Sequence, residues 1–412
     1  MLNNSIHYRA GNLFADEISI EEIAEQVGTP VYIYSLKRML HNLERIRSAF
    51  SVLKPEIHYS AKANANLAAL KTLVQAGAGI DAVSAGEIHK ALLAGADPAH
   101  IVFAGVGKTR DELRYALEKQ IGWINVENVG ELESIQELAV LTDRKQVRVA
   151  LRLNPDIAAP THRHIATGHG AAKFGLSIQT VHELLRRQDD FPNVSIEGLH
   201  IHIGSQLHDT NATRQAVETV LEILHPYPTI RTINIGGGLA VAYSAEEPIP
   251  SWDDFGAAVT PLLKDYQVIL EPGRSVIADA GLFVISVLYT KEQGGEHLLI
   301  TDGSMAELIR PALYEAHHMI VPVADYKRDK KLYHVVGPVC ESADALGHNI
   351  EIQATVTNEK LAVLTAGAYG MVMSSNYNQR LRPPEVVISP DGQSWQVARQ
   401  RETWADLVSH EQ

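Results

Sequence analysis

Three groups of residues in the chain have types and spacing suited to one kind of chemistry. Lys62 closes the apolar run EIHYSAK (56–62). An amine moved into a dry site is neutral more of the time, and a neutral amine attacks a carbonyl to form a Schiff base. A lone lysine at a strand end more commonly snorkels to water. Gly236, Gly237 and Gly238 close the run TINIGGG (232–238) and open a loop after a strand. Amides free of side chains can cradle a phosphate there, with Ser205 and the amides of Glu271-Pro272-Gly273-Arg274 completing the cup; a plain turn is the alternative. Glu271 stands at the strand end in QVILEPGR (267–274), and facing a pyridine nitrogen it would keep that nitrogen protonated, so that the ring draws off electrons. A capping or salt-bridge carboxylate is the alternative for Glu271.

Histidines are the next candidates. His200 and His202 in HIH lie on the same face of a strand. They could bind a metal, but no adjacent carboxylate completes a facial triad. An imidazole stacked on an aromatic ring is the other use for His202. His162, His164 and His169 in PDIAAPTHRHIATGHGAAKFGLS also resemble ligands, but loop histidines usually face solvent, and no metal is expected. Cys340, the sole cysteine, stands beside Glu341 in VVGPVCESADAL. Free cysteine is among the most buried residue types, so a small hydrophobe and a catalytic acid both remain open for it.

These residues need elements to hold them. The apolar runs EIHYSAK, GIDAVS, IVFAG, WINVEN, VRVALRLN, IEGLHIHIG, TINIGGG and QVILEPGR occur in series, each followed by a polar corner and a helical pattern. Short β-branched runs alternating with helices imply βα units and a parallel sheet. Eight in series match a (β/α)8 TIM-type barrel, where chemistry collects at the carboxyl ends of the strands. Lys62, Asn154, His202, Ser205, the glycines and Glu271 all fall at such ends. An open doubly wound sheet is the rival, but no G-x-G-x-x-G follows the first strand.

After Gly281 the runs LFVISVLYTKE, HLLITDG, MIVPVAD, LYHVVGPVC, EIQATVTNE, LAVLTAG and EVVISP read as strands of an antiparallel β domain. Residues 1–30 form a leading segment with a helix, SIEEIAEQVG, capped by Ser19 with Glu22 at capping-box spacing. The expected division is 1–30 packing with the β domain, 31–280 as the barrel and 281–412 as the C-terminal β domain.

At 412 residues, with 45% hydrophobic and 21% charged residues, this is a globular composition of domain-pair size. A net charge of −13 argues against a nucleic-acid partner. No basic cluster with an apolar run opens the chain, no stretch approaches the roughly 18–20 apolar residues of a membrane span, and one cysteine fits a reducing compartment. A cytoplasmic protein with no membrane partner is expected.

HYSAKANANLAAL, GIDAVSAGEI, HIHIGSQLHD, NIGGGLAVAY, EPGRSVIADAG, DGSMAELIRPALYEAHH, GPVCESADALGHN and AGAYGMVMSSNYNQRLRPPEV form an ordered series. It resembles the pyridoxal-phosphate-dependent diaminopimelate decarboxylases, of the alanine-racemase-like group, from about residue 25 to 395. RPALY, CES and AGAY with SSNYN carry the resemblance to this family rather than to the fold. It implies pyridoxal 5'-phosphate as cofactor, held through Lys62. It further implies His202 against the ring, Ser205, Gly237, Gly238, Gly273, Arg274 and Tyr369 at the phosphate, and Glu271 at the ring nitrogen. On the substrate side it implies Arg274, Arg310 and Tyr314 at the distal carboxylate, Tyr369 nearby, Glu341 at the distal ammonium, and Cys340 as the acid that returns a proton to Cα. Racemases of the group typically place an arginine at the ring nitrogen, so Glu271 favours decarboxylation.

The implied reaction is decarboxylation of meso-2,6-diaminopimelate to L-lysine, the last step of lysine biosynthesis, by a homodimer with shared active sites. The same chemistry on ornithine, lysine, carboxynorspermidine or a carrier-bound amino acid is the first alternative, and a catalytically silent homologue that binds partners is the second. Arg310 and Tyr314 favour a substrate with a distal carboxylate. Departures from the family pattern are Ala306-Glu307, where Asn-Asp is usual, Leu364-Thr365, where a polar or charged pair is usual, and the histidine-rich stretch within 155–178.

Overall fold

The computed structural model describes residues 1–157, 173–244 and 246–411. The chain forms two compact units, one of Leu43–Ala240 with Pro248–Ser275, the other of Met1–Asn42, Val241–Glu247 and Val276–Gln412.

The first unit is the expected barrel. Its eight parallel strands are Glu56–Ser60, Gly79–Ala82, Ile101–Phe103, Trp123–Val126, Val147–Leu153, Val194–Ile201, Thr232–Asn234 and Gln267–Leu270. The last closes on the first through Ile269↔Glu56 and Leu270↔Ile57. Strands such as Gly79–Ala82 and Trp123–Val126 are buried at every position. Helices cover their outer face and side chains fill the interior, so the sequence runs apolar without alternating. The corners are set by polar caps: the side chains of Asn66, Ser84, Thr109, Asn128 and Ser177 each accept a backbone N–H from the first helical turn. Such caps satisfy N–H groups that a helix leaves unpaired and fix where each strand gives way to its helix.

In the second unit a nine-stranded, largely antiparallel sheet is built on the long strand Gly281–Gln293. That strand pairs antiparallel with Val31–Ser35, Glu296–Thr301 and Lys360–Val363. Two pairings are parallel, Glu296–Thr301 with Lys330–Val336 and Val31–Ser35 with Glu385–Ile388. The N-terminal segment packs into this unit as expected: Ile6, Leu13, Ile20 and Ile23 share one core with Val31, Leu282, Val284 and Val386. The Ser19 hydroxyl caps helix Ile20–Val27 by accepting the Glu22 N–H, and Gly28, at φ +78°, follows its end.

The pattern and the structure differ in three places. Val31–Ser35, assigned from the pattern to the barrel domain, is buried at all five positions between two strands of the nine-stranded sheet. The strand expected over EIQATVTNE occupies Ala345–Gln353 and ends before the turn that follows. Trp395–Arg399, absent from the expected strands, pairs with Glu385–Ile388 across SPDGQS. Among the described residues, no helix is long and apolar enough to cross a membrane.

Candidate active site

Glu271, just beyond the eighth barrel strand, is 5% exposed and contacts three other strands. Its Oε1 accepts from Asn234 Nδ2 at 2.6 Å and from Asn125 Nδ2 at 3.0 Å, and its Oε2 lies 3.2 Å from His200 Nε2. Burial by itself would raise the carboxyl. His200, Lys62 and the Asn234 amide outweigh it and hold Glu271 well below the ordinary carboxylate range, so the group is an anion at neutral pH.

Lys62 sits on the turn Ala61–Ala63 after the first strand. Its Nζ is 2.7 Å from Asp81 Oδ2, an oxygen that also accepts from Ser60 Oγ at 2.6 Å. The amine is not walled off by apolar groups, since its side chain is 37% exposed while Asp81 is fully buried. Ser60 Oγ also lies 3.0 Å from the Glu271 carbonyl, which ties the lysine turn to the eighth strand.

The two histidines of HIH have separate partners. His200 meets Glu271, whereas His202 Nδ1 accepts the Gly237 N–H at 3.3 Å. Burial, with Arg152, Lys62 and His200 adding to it, pushes His202 well below the usual histidine range, so its ring is neutral. Among the described residues no group of three or more His, Cys, Asp or Glu is arranged to hold a metal ion. His162, His164 and His169 lie outside the described residues.

The glycine corner is geometrically required. A Cβ on Gly237 would stand 2.3 Å from the Glu271 carbonyl oxygen. Gly238 has φ +102°, and its Cβ would stand 2.3 Å from the Gly204 carbonyl oxygen. Only glycine brings these backbones together without strain. Beside them, Ser205 Oγ is 3.2 Å from Arg274 Nη2. A Cβ on Gly273 would press on the Cβ atoms of Ser60 and Ala63, at 3.0 and 3.1 Å.

The residues therefore fit pyridoxal phosphate. A backbone-lined corner with a hydroxyl and a guanidinium suits its phosphate, a buried anion suits its ring nitrogen, and a lysine amine suits its aldehyde. Asp81 Oδ1 and Asn125 Oδ1 are buried without a hydrogen-bond partner among the described residues, as polar groups at the edge of a ligand site can be.

Asp81, Asn125 and Asn234 were missed in the sequence, although a signal exists: each is a polar residue in a fully buried barrel strand, alone in GIDA and WINV and beside Thr232 in the third. Lys108 was missed too. It is buried, with Nζ 2.6 Å from Glu131 Oε1, 2.7 Å from the Asn125 carbonyl and 2.8 Å from the Gly105 carbonyl. It thereby anchors the strand end that carries Asn125.

The second unit holds the other expected residues. Cys340 and Glu341 lie on an exposed turn, where the Cys340 N–H donates to Asn378 Oδ1 at 3.0 Å and the Tyr377 hydroxyl donates to Glu341. The thiol is exposed, so it is not a small buried hydrophobe. Arg310 opens helix Arg310–Tyr314 and is 5% exposed; Tyr314 ends that helix, half-buried. Tyr369 is half-buried at φ +55°. The departure at Glu307 has a local role: its Oε2 accepts from the Ser304 N–H at 2.8 Å and the Ser304 Oγ at 2.6 Å, closing the turn ahead of RPALY. Leu364 belongs to the core of the second unit.

Residues 36–278 match the family model of the pyridoxal-dependent decarboxylase pyridoxal binding domain. The chain is 40% identical to the diaminopimelate decarboxylase of Aquifex aeolicus over 98% of this chain and 97% of that protein. It is 38% identical to the diaminopimelate decarboxylase of Haemophilus influenzae over 98% of each. The crystal structure of diaminopimelate decarboxylase from M. jannaschii in co-complex with L-lysine is similar with a TM-score of 0.94 at 34% identity, covering 100% of this chain and 99% of that one.

Proposed function

The chain belongs to the pyridoxal-dependent diaminopimelate decarboxylases, and from that premise we propose how its residues divide the work. The reaction is decarboxylation of meso-2,6-diaminopimelate to L-lysine and carbon dioxide, with pyridoxal 5'-phosphate as cofactor. When bound, the cofactor supplies a sink for the electrons of the breaking bond. Lys62 would hold it through its amine. Gly237, Gly238, the amides of Gly273 and Arg274, the Ser205 hydroxyl and Tyr369 would hold its phosphate.

Glu271 carries the reading. Held as a buried anion by two asparagine amides and His200, it would keep a proton on the ring nitrogen. His202, neutral and tethered to the Gly237 amide, would lie against the ring without adding charge. Asp81 steadies the Lys62 amine. Arg310, Arg274 and Tyr314 bind the distal carboxylate of the substrate, with Tyr369 beside them, and Glu341 binds its distal ammonium. Cys340 delivers a proton to Cα, because an exposed thiol on a turn can reach a substrate that a buried one cannot.

The assembly in this reading is a homodimer in which Cys340 and Glu341 serve the site of the partner subunit. It works in the cytoplasm and takes no nucleic-acid partner; a single cysteine and a net charge of −13 support both statements.

The test is spectroscopic. Purified protein given pyridoxal phosphate is expected to turn yellow, to lose the band on borohydride reduction, and to yield one labelled peptide containing Lys62. Protein that stays colourless, or label on another lysine, contradicts the cofactor assignment.

A further inference from the structure

His318 lies in the second unit, beyond helix Arg310–Tyr314, and is 1% exposed. Both ring nitrogens are engaged: Nδ1 is 2.9 Å from the Leu364 carbonyl oxygen, and Nε2 is 2.8 Å from Arg310 Nη1. A carbonyl can only accept and a guanidinium can only donate. The ring is therefore the neutral tautomer, with its proton on Nδ1 and its lone pair on Nε2. A protonated ring would set one N–H against another. Burial, with Arg310 adding to it, pushes the ring well below the usual histidine range, in agreement with that assignment.

Tyr243 completes the arrangement. Its ring meets His318 edge-on, with centroids 5.2 Å apart at 83°, and carries the Arg310 guanidinium over its face at 4.6 Å. One nitrogen and one face of a long, rotatable side chain are thereby fixed by two rings. Arginine recognises a carboxylate best through two parallel N–H donors, which requires the fork to stand at one angle.

We propose that His318, with Tyr243, is a seat that sets the angle of the Arg310 guanidinium and so acts as a positioning residue for the substrate's distal carboxylate. The inference rests on Arg310 being the partner of that carboxylate. Neither ring touches the substrate in this scheme. Ligands that carry the carboxylate depend on the seat, and ligands that lack it do not.

L-Lysine and cadaverine differ only by that carboxylate, and their inhibition constants against diaminopimelate turnover separate the two cases. His318→Asn can still donate to the Leu364 carbonyl but loses the acceptor for Arg310. It is expected to weaken L-lysine inhibition roughly tenfold, about the worth of one hydrogen bond to a charged group, while leaving cadaverine within twofold. His318→Gln, whose Oε1 can accept from Arg310, is expected to restore most of the L-lysine affinity. A purely structural role would move both inhibitors together, and that result overturns the proposal.

Arg310→Met, measured in parallel, keeps the two claims apart. If it weakens L-lysine inhibition and His318→Asn does not, the seat is wrong and Arg310 stands. If Arg310→Met leaves L-lysine unaffected, the carboxylate assignment fails and the seat with it. Should His318→Asn not fold, Tyr243→Leu reads the same inhibitor pair with the same expected and contradicting results.

Discussion

Glu271→Gln exchanges one carboxylate oxygen for an amide nitrogen at constant length. Oε1 receives two amide donors, from Asn234 at 2.6 Å and Asn125 at 3.0 Å, so the glutamine oxygen must remain on that side. The new NH2 then takes the place of Oε2, 3.2 Å from His200 Nε2. The side chain is seated in one orientation, and the fold should survive. The charge proposed to hold a proton on the ring nitrogen is lost. A hydrogen bond to a charged group contributes about 1.5–3 kcal/mol, and ~1.4 kcal/mol is a factor of ten, so kcat should fall roughly 10- to 100-fold. The assay is carbon dioxide release from saturating meso-diaminopimelate, with cofactor occupancy followed by absorbance and folding by thermal melting. A fully loaded, folded variant within twofold of the parent kcat would falsify the placing of Glu271 at the ring nitrogen.

Gly237→Ala would set a Cβ 2.3 Å from the Glu271 carbonyl, and should weaken cofactor retention at least about tenfold on titration of the apoprotein, since that backbone contact leaves no room to relax; unchanged retention contradicts the cup. For the shared site, inactive Lys62→Ala chains mixed with inactive Cys340→Ala chains should regain part of the activity in mixed dimers, and no recovery in verified mixed dimers returns Cys340 to its own chain's site or to no site. Burial, with Asp81 adding to it, raises the Glu87 carboxyl from 4.5 to about 7 despite a bond from the Val83 N–H. The folded chain then keeps a proton that the unfolded chain releases, so ionising Glu87 costs stability that is absent below about pH 4.5 and complete above about pH 7. Glu87→Gln should therefore raise the melting temperature more at pH 8 than at pH 5, and an equal change at both contradicts the shift.

The barrel was legible because its strands are buried on both faces, which writes them as short apolar runs between capped helices. Lys62, Glu271 and the glycines stood out because each follows such a run. Their supports did not, because the register of neighbouring strands sets Asp81 beside Lys62 and Asn234 beside Glu271, and barrel closure brings Asn125 across to Glu271, none of which a single run displays. A polar residue in a fully buried strand was the available clue. Val31–Ser35 was assigned to the barrel domain because a short apolar strand does not declare which sheet will take it. His318 carried no signal at all in EAHH, since its task depends on the Leu364 carbonyl and Arg310 meeting its two ring nitrogens. Trp395–Arg399 could have been found from the Asp-Gly turn in SPDGQS, which marks a hairpin.

Carbon dioxide release from meso-diaminopimelate, L-lysine and L-ornithine, measured in parallel on the same cofactor-loaded preparation, tests the central claim most directly. Diaminopimelate should be turned over, with L-lysine as the product and little release from the other two. Inert diaminopimelate beside an active second acid would contradict the substrate, and no release from any of the three by a yellow, loaded protein would contradict the decarboxylase itself.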